Sequence, residues 1–418
     1  MSVAVPGAAR PQRTQLPNGL VVCTEFVPGV RSVALGAWVR SASVHEPHAL
    51  MGISHLLEHL VFKGTKKRTA KQIALELESR GGVIDAYTGR EHTCFQAHVL
   101  DRDLPIAIEL LRDLMFAPLL REEDLQLERQ VVYDEIAMVD DAPDDLVFEL
   151  HNKLLWGTHP YGHTILGTRD SLGSLSAANL REVHSREYRP DNIVIAAGGN
   201  VVHEDFVQQL TASGWGEAGA PVALRAPRAA PVTEPPATKH VSRDLQQTHI
   251  VSASTTIPMS DPTRPAFMVL SALFGGGMSS RLFQRVREEL GLAYAVYGFQ
   301  SLYADVGVHG VYVGTAPDTA AKARQAVADE LNRLTDDGIA EDELMLGRRQ
   351  LVGQFLLSQE SVNARMNRAA SRELYGEPYR TIDEVIARIE GVTVTDVLAT
   401  ARKWFAPERQ TVLTLGPA

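Results

Sequence analysis

The chain has 418 residues, 44 % of them hydrophobic and 22 % charged, with a formal net charge of −10. That length exceeds one ordinary core and calls for two or more domains, and the acidic balance argues against a general nucleic-acid or anionic-membrane binder. Only Cys23 and Cys94 occur, which excludes a disulfide framework and fits a reducing compartment.

In chain order, the start "MSVAVPGAARPQRTQLPNG" lacks the apolar stretch of a secretory signal; Arg10 and Arg13 leave a short matrix-targeting presequence open, although the segment is short and not clearly amphipathic. No run approaches the length of a membrane span. "SVALGAWVR" (32–40) and "TCFQAHVL" (93–100) read as strands, and "LPIAIELLRDLMFA" (104–117) as a helix. Between them, "GISHLLEHLVFKGT" (52–65) reads as a helix with Leu56, Leu57 and Leu60 on its packing side. "REEDLQLERQVVYDEIAMVDD" (121–141) reads as a longer helix, with Leu125, Val132 and Ile136 among its apolar positions. "HPYGH" (159–163) has helical histidine spacing, but Pro160 and Gly162 make it a loop. "GEAGAPVALRAPRAAPVTEPPATKH" (216–240) is rich in Pro and Ala, has no periodicity and reads as a linker. Strands alternating with helices on both sides of it predict an α+β protein of two α/β-layered domains, 1–215 and 241–418.

The two sides are similar to each other. "SLSAANLREVHSREYRPDNIVIAAGG" (174–199) and "GVTVTDVLATARKWFAPERQTVLTLG" (391–416) share a helix, an aromatic-x-Pro and an apolar strand, with Tyr188 over Phe405 and Pro190 over Pro407. Leu125 and Leu127 match Leu344 and Leu346 at an offset of 219, and Phe62 matches Phe274 at 212. Three segments in one order at similar offsets point to duplicated halves.

His55 and His59 are four residues apart, so on a helix they share one face and can share one metal ion. Glu58 sits at the edge of that face. The plain alternative is a core helix whose histidines are hydrogen-bonded, and both hold if leucines pack while imidazoles line a cleft. Catalytic zinc takes three protein ligands, so a third is needed. Helix 121–141 offers Glu128 and Glu135, seven residues apart on one face; one can ligate while the other orients a ligating histidine. At the positions equivalent to His55, His59, Glu128 and Glu135 the second half has Phe267, Ser271, Gly347 and Gln354. Metal chemistry is therefore expected in the first half alone. His45, His48 and His92 read as surface or cleft residues.

The H-x-x-E-H pattern followed by "LVFKGT", together with "LPNGLVV" (16–22) and "GGVIDAYTGREHT" (81–93), resembles the pitrilysin/insulinase-type (inverzincin) metallopeptidases. The resemblance is closest to the catalytic-subunit-like bacterial branch of the mitochondrial processing peptidases, and it covers almost the whole chain. It implies a clamshell of two homologous domains and one Zn2+ per chain, held by His55, His59 and Glu135, the last 76 residues beyond His59. It implies Glu58 as general base and Glu128 as a supporting partner of the ligands. In "SSRLFQRVREELGLAYAVY" (279–297), Arg287 and Tyr294 match an arginine and a tyrosine that reach the active site in that family. The strand holding Asp85, Ala86 and Tyr87 would accept substrate by strand addition. Asp85 departs from the family's asparagine, which puts any amide contact there in doubt and favours basic residues nearby.

These features predict a zinc endopeptidase acting on peptides or unfolded segments, in the bacterial cytoplasm, with the mitochondrial matrix the less favoured alternative. It would work as a homodimer or beside a homologue lacking the metal motif. The rival reading is a noncatalytic or partner-dependent subunit of a processing-peptidase-like or bc1-core-like complex; the complete metal motif disfavours the noncatalytic form. "GGGMSS" (275–280) is short and unlike the glycine-rich loop of the noncatalytic subunit.

Overall fold

The computed structural model describes residues 11–217, 231 and 234–418. The first sheet contains β1 (Gln12–Gln15), β2 (Val21–Phe26), β3 (Ser32–Val39), β4 (Val83–Thr88), β5 (Thr93–Leu100) and β6 (Ile193–Gly199), in the order β1-β2-β6-β3-β5-β4. The second contains β7 (Thr238–Ser242), β8 (Thr248–Thr256), β9 (Ala293–Leu302), β10 (Gly307–Thr315) and β11 (Thr411–Gly416), in the order β7-β11-β8-β10-β9. Leaving out β1, the two orders and polarities coincide: β2–β6 and β7–β11 are parallel, and every other neighbouring pair is antiparallel. The duplication read from the sequence is therefore a duplication of topology, and the fold is α+β.

The helices of the first half are α1 (Ile53–Val61), α2 (Ala70–Glu78), α3 (Leu104–Phe116), α4 (Glu122–Asp141) and α5 (Pro143–Trp156), followed by Arg169–Ser174 and Ala177–Glu187 before β6 and His203–Ala212 after it. Strand β3 shows why they pack as they do. Val33, Leu35, Ala37 and Val39 point to one face, where they join Leu56 and Leu60 of α1 and Leu110 and Leu111 of α3. Ala34 and Trp38 point to the other. Burying each leucine of α1 contributes about 1.5–3 kcal/mol, which seats the helix before any polar group on it is considered.

The outer face of the first sheet is covered by the helix Val362–Tyr375, which the chain delivers from its second half. A Cβ on Gly198 of β6 would lie 2.6 Å from the Val362 carbonyl oxygen, so only glycine allows this approach. A buried ion pair fixes the contact: Arg365 Nη1 donates to Glu25 Oε1 at 2.8 Å. The second sheet receives α5 in the same way. Phe148 stacks against Tyr312 and meets Phe299 edge-on, and His151 Nε2 donates to the Thr411 carbonyl at 2.9 Å.

The compact units are consequently discontinuous. One comprises 1–137, 163–228 and 358–379, the other 138–162, 229–357 and 380–418. The expected boundaries 1–215 and 241–418 separate the sheets but not the units, because each sheet has two apolar faces and one is closed by a helix from the other half. Most of the expected linker, 218–230 and 232–233, lies outside the described residues. Its last residues, Thr238 to His240, already belong to β7, paired in parallel with β11. Among the described residues no helix is long and apolar enough to cross a membrane.

Candidate metal centre

Helix α1 begins at Gly52, whose φ of 90° and contact with Gly167 exclude a side chain: a Cβ there would lie 2.6 Å from the Leu166 carbonyl oxygen. Its first amides are satisfied by Glu46, whose two carboxylate oxygens accept the N–H groups of Gly52 and Ser54 at 2.8 Å each. Ile53, Leu56, Leu57, Leu60 and Val61 are buried, which leaves His55, Glu58 and His59 on the remaining side, partly covered.

Helix α4 seats Leu125 and Val132 in the core and turns Glu128 and Glu135 toward α1. His55 Nε2 lies 3.7 Å from Glu135 Oε2, and His59 Nε2 lies 3.6 Å from Glu135 Oε1. These separations are too long for hydrogen bonds. They match two ligands of one tetrahedral ion, which at metal–ligand distances of about 2.0–2.2 Å stand about 3.3–3.6 Å apart. His55, His59 and Glu135 are the one such donor group among the described residues, with ligand atoms within 4.8 Å of one another. Glu135 Oε2, which faces His55 Nε2, is buried with no hydrogen-bond partner among the described residues, as expected where something other than a side chain completes the bonding. Burial, with His59 close by, pushes His55 down to about 4, so its imidazole is neutral near pH 7, the form that binds metal. The donor set fits zinc.

Glu58 faces the strand side of α1. Thr88 Oγ1 of β4 donates to Glu58 Oε2 at 2.5 Å. Burial raises the Glu58 carboxyl above the usual carboxylate range, while the bond from Thr88 acts in the opposite direction. On the other side, Glu128 is buried, with Oε2 3.1 Å from His59 Nδ1 and Oε1 2.6 Å from Lys63 Nζ.

Asp85, Ala86 and Tyr87 lie on β4, paired on one side with Gln96, Phe95 and Cys94 of β5. The other side of β4 is the open edge of the sheet among the described residues. Ala86 leans toward the core, whereas Asp85 and Tyr87 are exposed on the opposite face, where Tyr87 Oη accepts a bond from Trp38 Nε1.

Arg287 and Tyr294 belong to the second unit. Arg287 sits in a widened, π-helical turn (Phe283–Glu289), and its guanidinium lies 5.1 Å from the Tyr294 ring centre. Tyr294, on edge strand β9, is 79 % exposed. The turn thus brings the two residues together as a cation–π pair with the phenol left open to solvent. His45, His48 and His92 do not join the metal group. His45 Nδ1 accepts the Ala42 amide, His48 meets His163, and His92 meets Tyr87. "HPYGH" forms a short turn, as expected of a loop.

Three supporting residues went unread in the sequence. Thr88 was findable, since strand alternation puts it on the same side as Ala86. Lys63 was marked by its position four residues after His59. For Glu46 the one signal was an acid before a helix start.

Comparison with known proteins places these features in context. A family model described as Insulinase (Peptidase family M16) matches residues 21–169, and one described as Peptidase M16 inactive domain matches residues 174–351. An uncharacterized zinc protease of Streptomyces coelicolor is 38 % identical over 98 % of this chain and 90 % of its own. Another, of Mycobacterium tuberculosis, is 40 % identical over 100 % of this chain and 95 % of its own. A third, of Bacillus subtilis, is 36 % identical over 94 % and 95 %. The crystal structure of a protease from Helicobacter pylori superposes with a TM-score of 0.92 at 21 % identity, covering 98 % of this chain and 100 % of that one. A Pseudomonas fluorescens structure titled as a peptidase M16 inactive domain gives 0.90 at 21 % identity, covering 98 % of both chains.

Proposed function

The chain belongs to the insulinase-type M16 peptidase family, and on that premise we propose that it is a zinc endopeptidase cleaving peptides or unfolded segments. The observation that carries the reading is the convergence of His55, His59 and Glu135 beside a partly buried Glu58. The three would hold one zinc ion per chain. Zinc, when bound, supplies a water of near-neutral pKa and a Lewis acid for the scissile carbonyl.

The chain's own groups do the rest. Glu58 takes the proton of the attacking water and passes it to the leaving amine. Thr88 fixes the direction of its carboxylate, so the base is held in place. Glu128 accepts the Nδ1–H of His59 and so leaves Nε2 as the donor nitrogen. The open edge of β4 receives an extended substrate as an added strand, through backbone bonds that tolerate many side chains. Asp85, exposed on that strand, favours basic substrate residues close to it. Arg287 and Tyr294 serve as donors to the carbonyl oxygen as it gains charge.

The description "inactive domain" attaches to residues 174–351, the part that carries none of the metal groups, and does not count against the first half. Two free, buried cysteines support a reducing, cytoplasmic location. Working with a second copy or a metal-less homologue is part of the same reading. Metal analysis of the purified chain, together with cleavage of a peptide library, tests it. One zinc per chain with peptide turnover is expected, and a metal-free chain inert in the presence of added zinc would sink it.

A further inference from the structure

Lys63 stands four residues after His59, just past the end of α1, and its side chain is 37 % exposed. Its ammonium lies 2.6 Å from Oε1 of Glu128, whose own side chain is only 8 % exposed. The second oxygen of that carboxylate lies 3.1 Å from His59 Nδ1. A carboxylate is planar, so holding Oε1 limits where Oε2 can point. Here it points at the ring N–H whose donation keeps Nε2 unprotonated, 3.6 Å from Glu135 Oε1.

We propose that Lys63 is a positioning residue for the metal centre, holding Glu128 so that its carboxylate sets the tautomer and ring orientation of His59. This rests on the zinc-binding role given to His59 above.

The duplicated half supplies an internal control. At the positions equivalent to His59, Lys63 and Glu128 stand Ser271, Gly275 and Gly347. All three members are missing together, and two are replaced by close packing. A Cβ on Gly275 would lie 2.5 Å from the Gly298 amide nitrogen, and one on Gly347 would lie 2.7 Å from Leu273 Cγ. In this half Gly347 lets the two helices close on each other and Gly275 lets its helix close on β9, which leaves no room for a glutamate or a lysine. A lysine serving only solubility or general charge balance has no reason to vanish with the other two.

Coulomb's law gives a sign that separates positioning from simple charge. Removing a nearby cation by itself favours binding of a dication, so a charge effect predicts tighter zinc binding without Lys63. Positioning predicts weaker binding. The test is Zn2+ affinity of the full chain by chelator competition, with the Co2+-substituted absorption spectrum as a readout of ligand geometry. Lys63→Met should weaken Zn2+ binding about tenfold, at the low end of the roughly 10–100-fold seen for groups that support metal ligands. It should also shift the Co2+ bands. Lys63→Arg should restore affinity to within about threefold of the starting protein. In a Glu128→Gln background Lys63→Met should add nothing. Equal or tighter Zn2+ binding by Lys63→Met, or the same loss in the Glu128→Gln background, overturns the proposal. Should the methionine variant fold poorly, Lys63→Gln carries the same comparison. Failure of the unmodified chain to bind Zn2+ would instead overturn the proposed function, so the two failures are distinct.

Discussion

The two halves of this chain build one sheet topology twice and use it differently. In the first half, α1 faces α4 through His55, His59, Glu128 and Glu135, with polar atoms 3.1 to 3.7 Å apart. In the second, the equivalent helices, Arg264–Gly275 and Glu341–Ser358, meet through Leu273 and Gly347 in van der Waals contact. Both arrangements satisfy the demand that buried surface be either packed or paired. The packed one serves stability. The paired one leaves Glu135 Oε2 buried without a hydrogen-bond partner among the described residues, a cost to stability that a bound ion would offset. The strand beside each helix follows the same division. Glu58 takes a bond from Thr88 of β4, whereas Ser271 gives one to Gln300 of β9, a neutral pair with nothing to titrate.

The contrast breaks most visibly at Glu58. Glu58→Gln should retain zinc and lose about 10²–10⁴-fold in peptide turnover, measured with a quenched fluorescent peptide. Retained turnover would remove Glu58 as the base. Ser271→Ala, near the matching place in the second half, should change neither zinc content nor turnover.

The next largest effect tests what the halves share. Each sheet depends on a helix from the other half, and for the first sheet the anchor is the buried Arg365–Glu25 pair. Arg365→Ala leaves Glu25 with Arg368 alone, 3.5 Å away, and should cost up to about 3 kcal/mol of stability, the low end for a broken buried pair, read by thermal or urea unfolding. Zinc affinity of the protein that remains folded should be unchanged, since the pair lies on the opposite face of the sheet from α1.

Tyr294→Phe asks whether the second half contributes to catalysis at all. If its hydroxyl is a donor to the developing oxyanion, turnover should fall by up to about 10²-fold with zinc content intact. Unchanged turnover would remove Tyr294 as a donor.

Finally, Gly347→Glu restores in the second half the glutamate that Glu128 represents in the first. No additional zinc should bind, because Ser271 and Gln354 supply no imidazole or carboxylate there. The new side chain must displace Leu273, an overpacking that should cost about 1–3 kcal/mol in unfolding experiments. A second bound zinc would show that the loss of ligands in this half is shallower than the packing indicates.

Much of the site was legible because its logic is local. A helix places residues four apart on one face, so His55 and His59 had to be neighbours, and seven residues put Glu128 and Glu135 on one side of α4. Which of those glutamates stands at the ligating distance is not local. It depends on how far α4 slides along α1, and that is set by how Leu125 and Val132 seat in the core that the leucines of α1 also enter. Strand alternation in β3 likewise announced two buried faces without saying what would cover the second. Periodicity reports that a surface is apolar, not which distant segment meets it. The sequence by itself therefore determined the duplication, the confinement of the metal groups to one half, and their chemistry, because these depend on residue type and spacing along the chain. Tertiary structure alone decided the exchange of covering helices, the open edge of β4, and the supporting contacts of Glu46, Thr88 and Lys63, because each joins groups whose proximity is fixed by packing between elements.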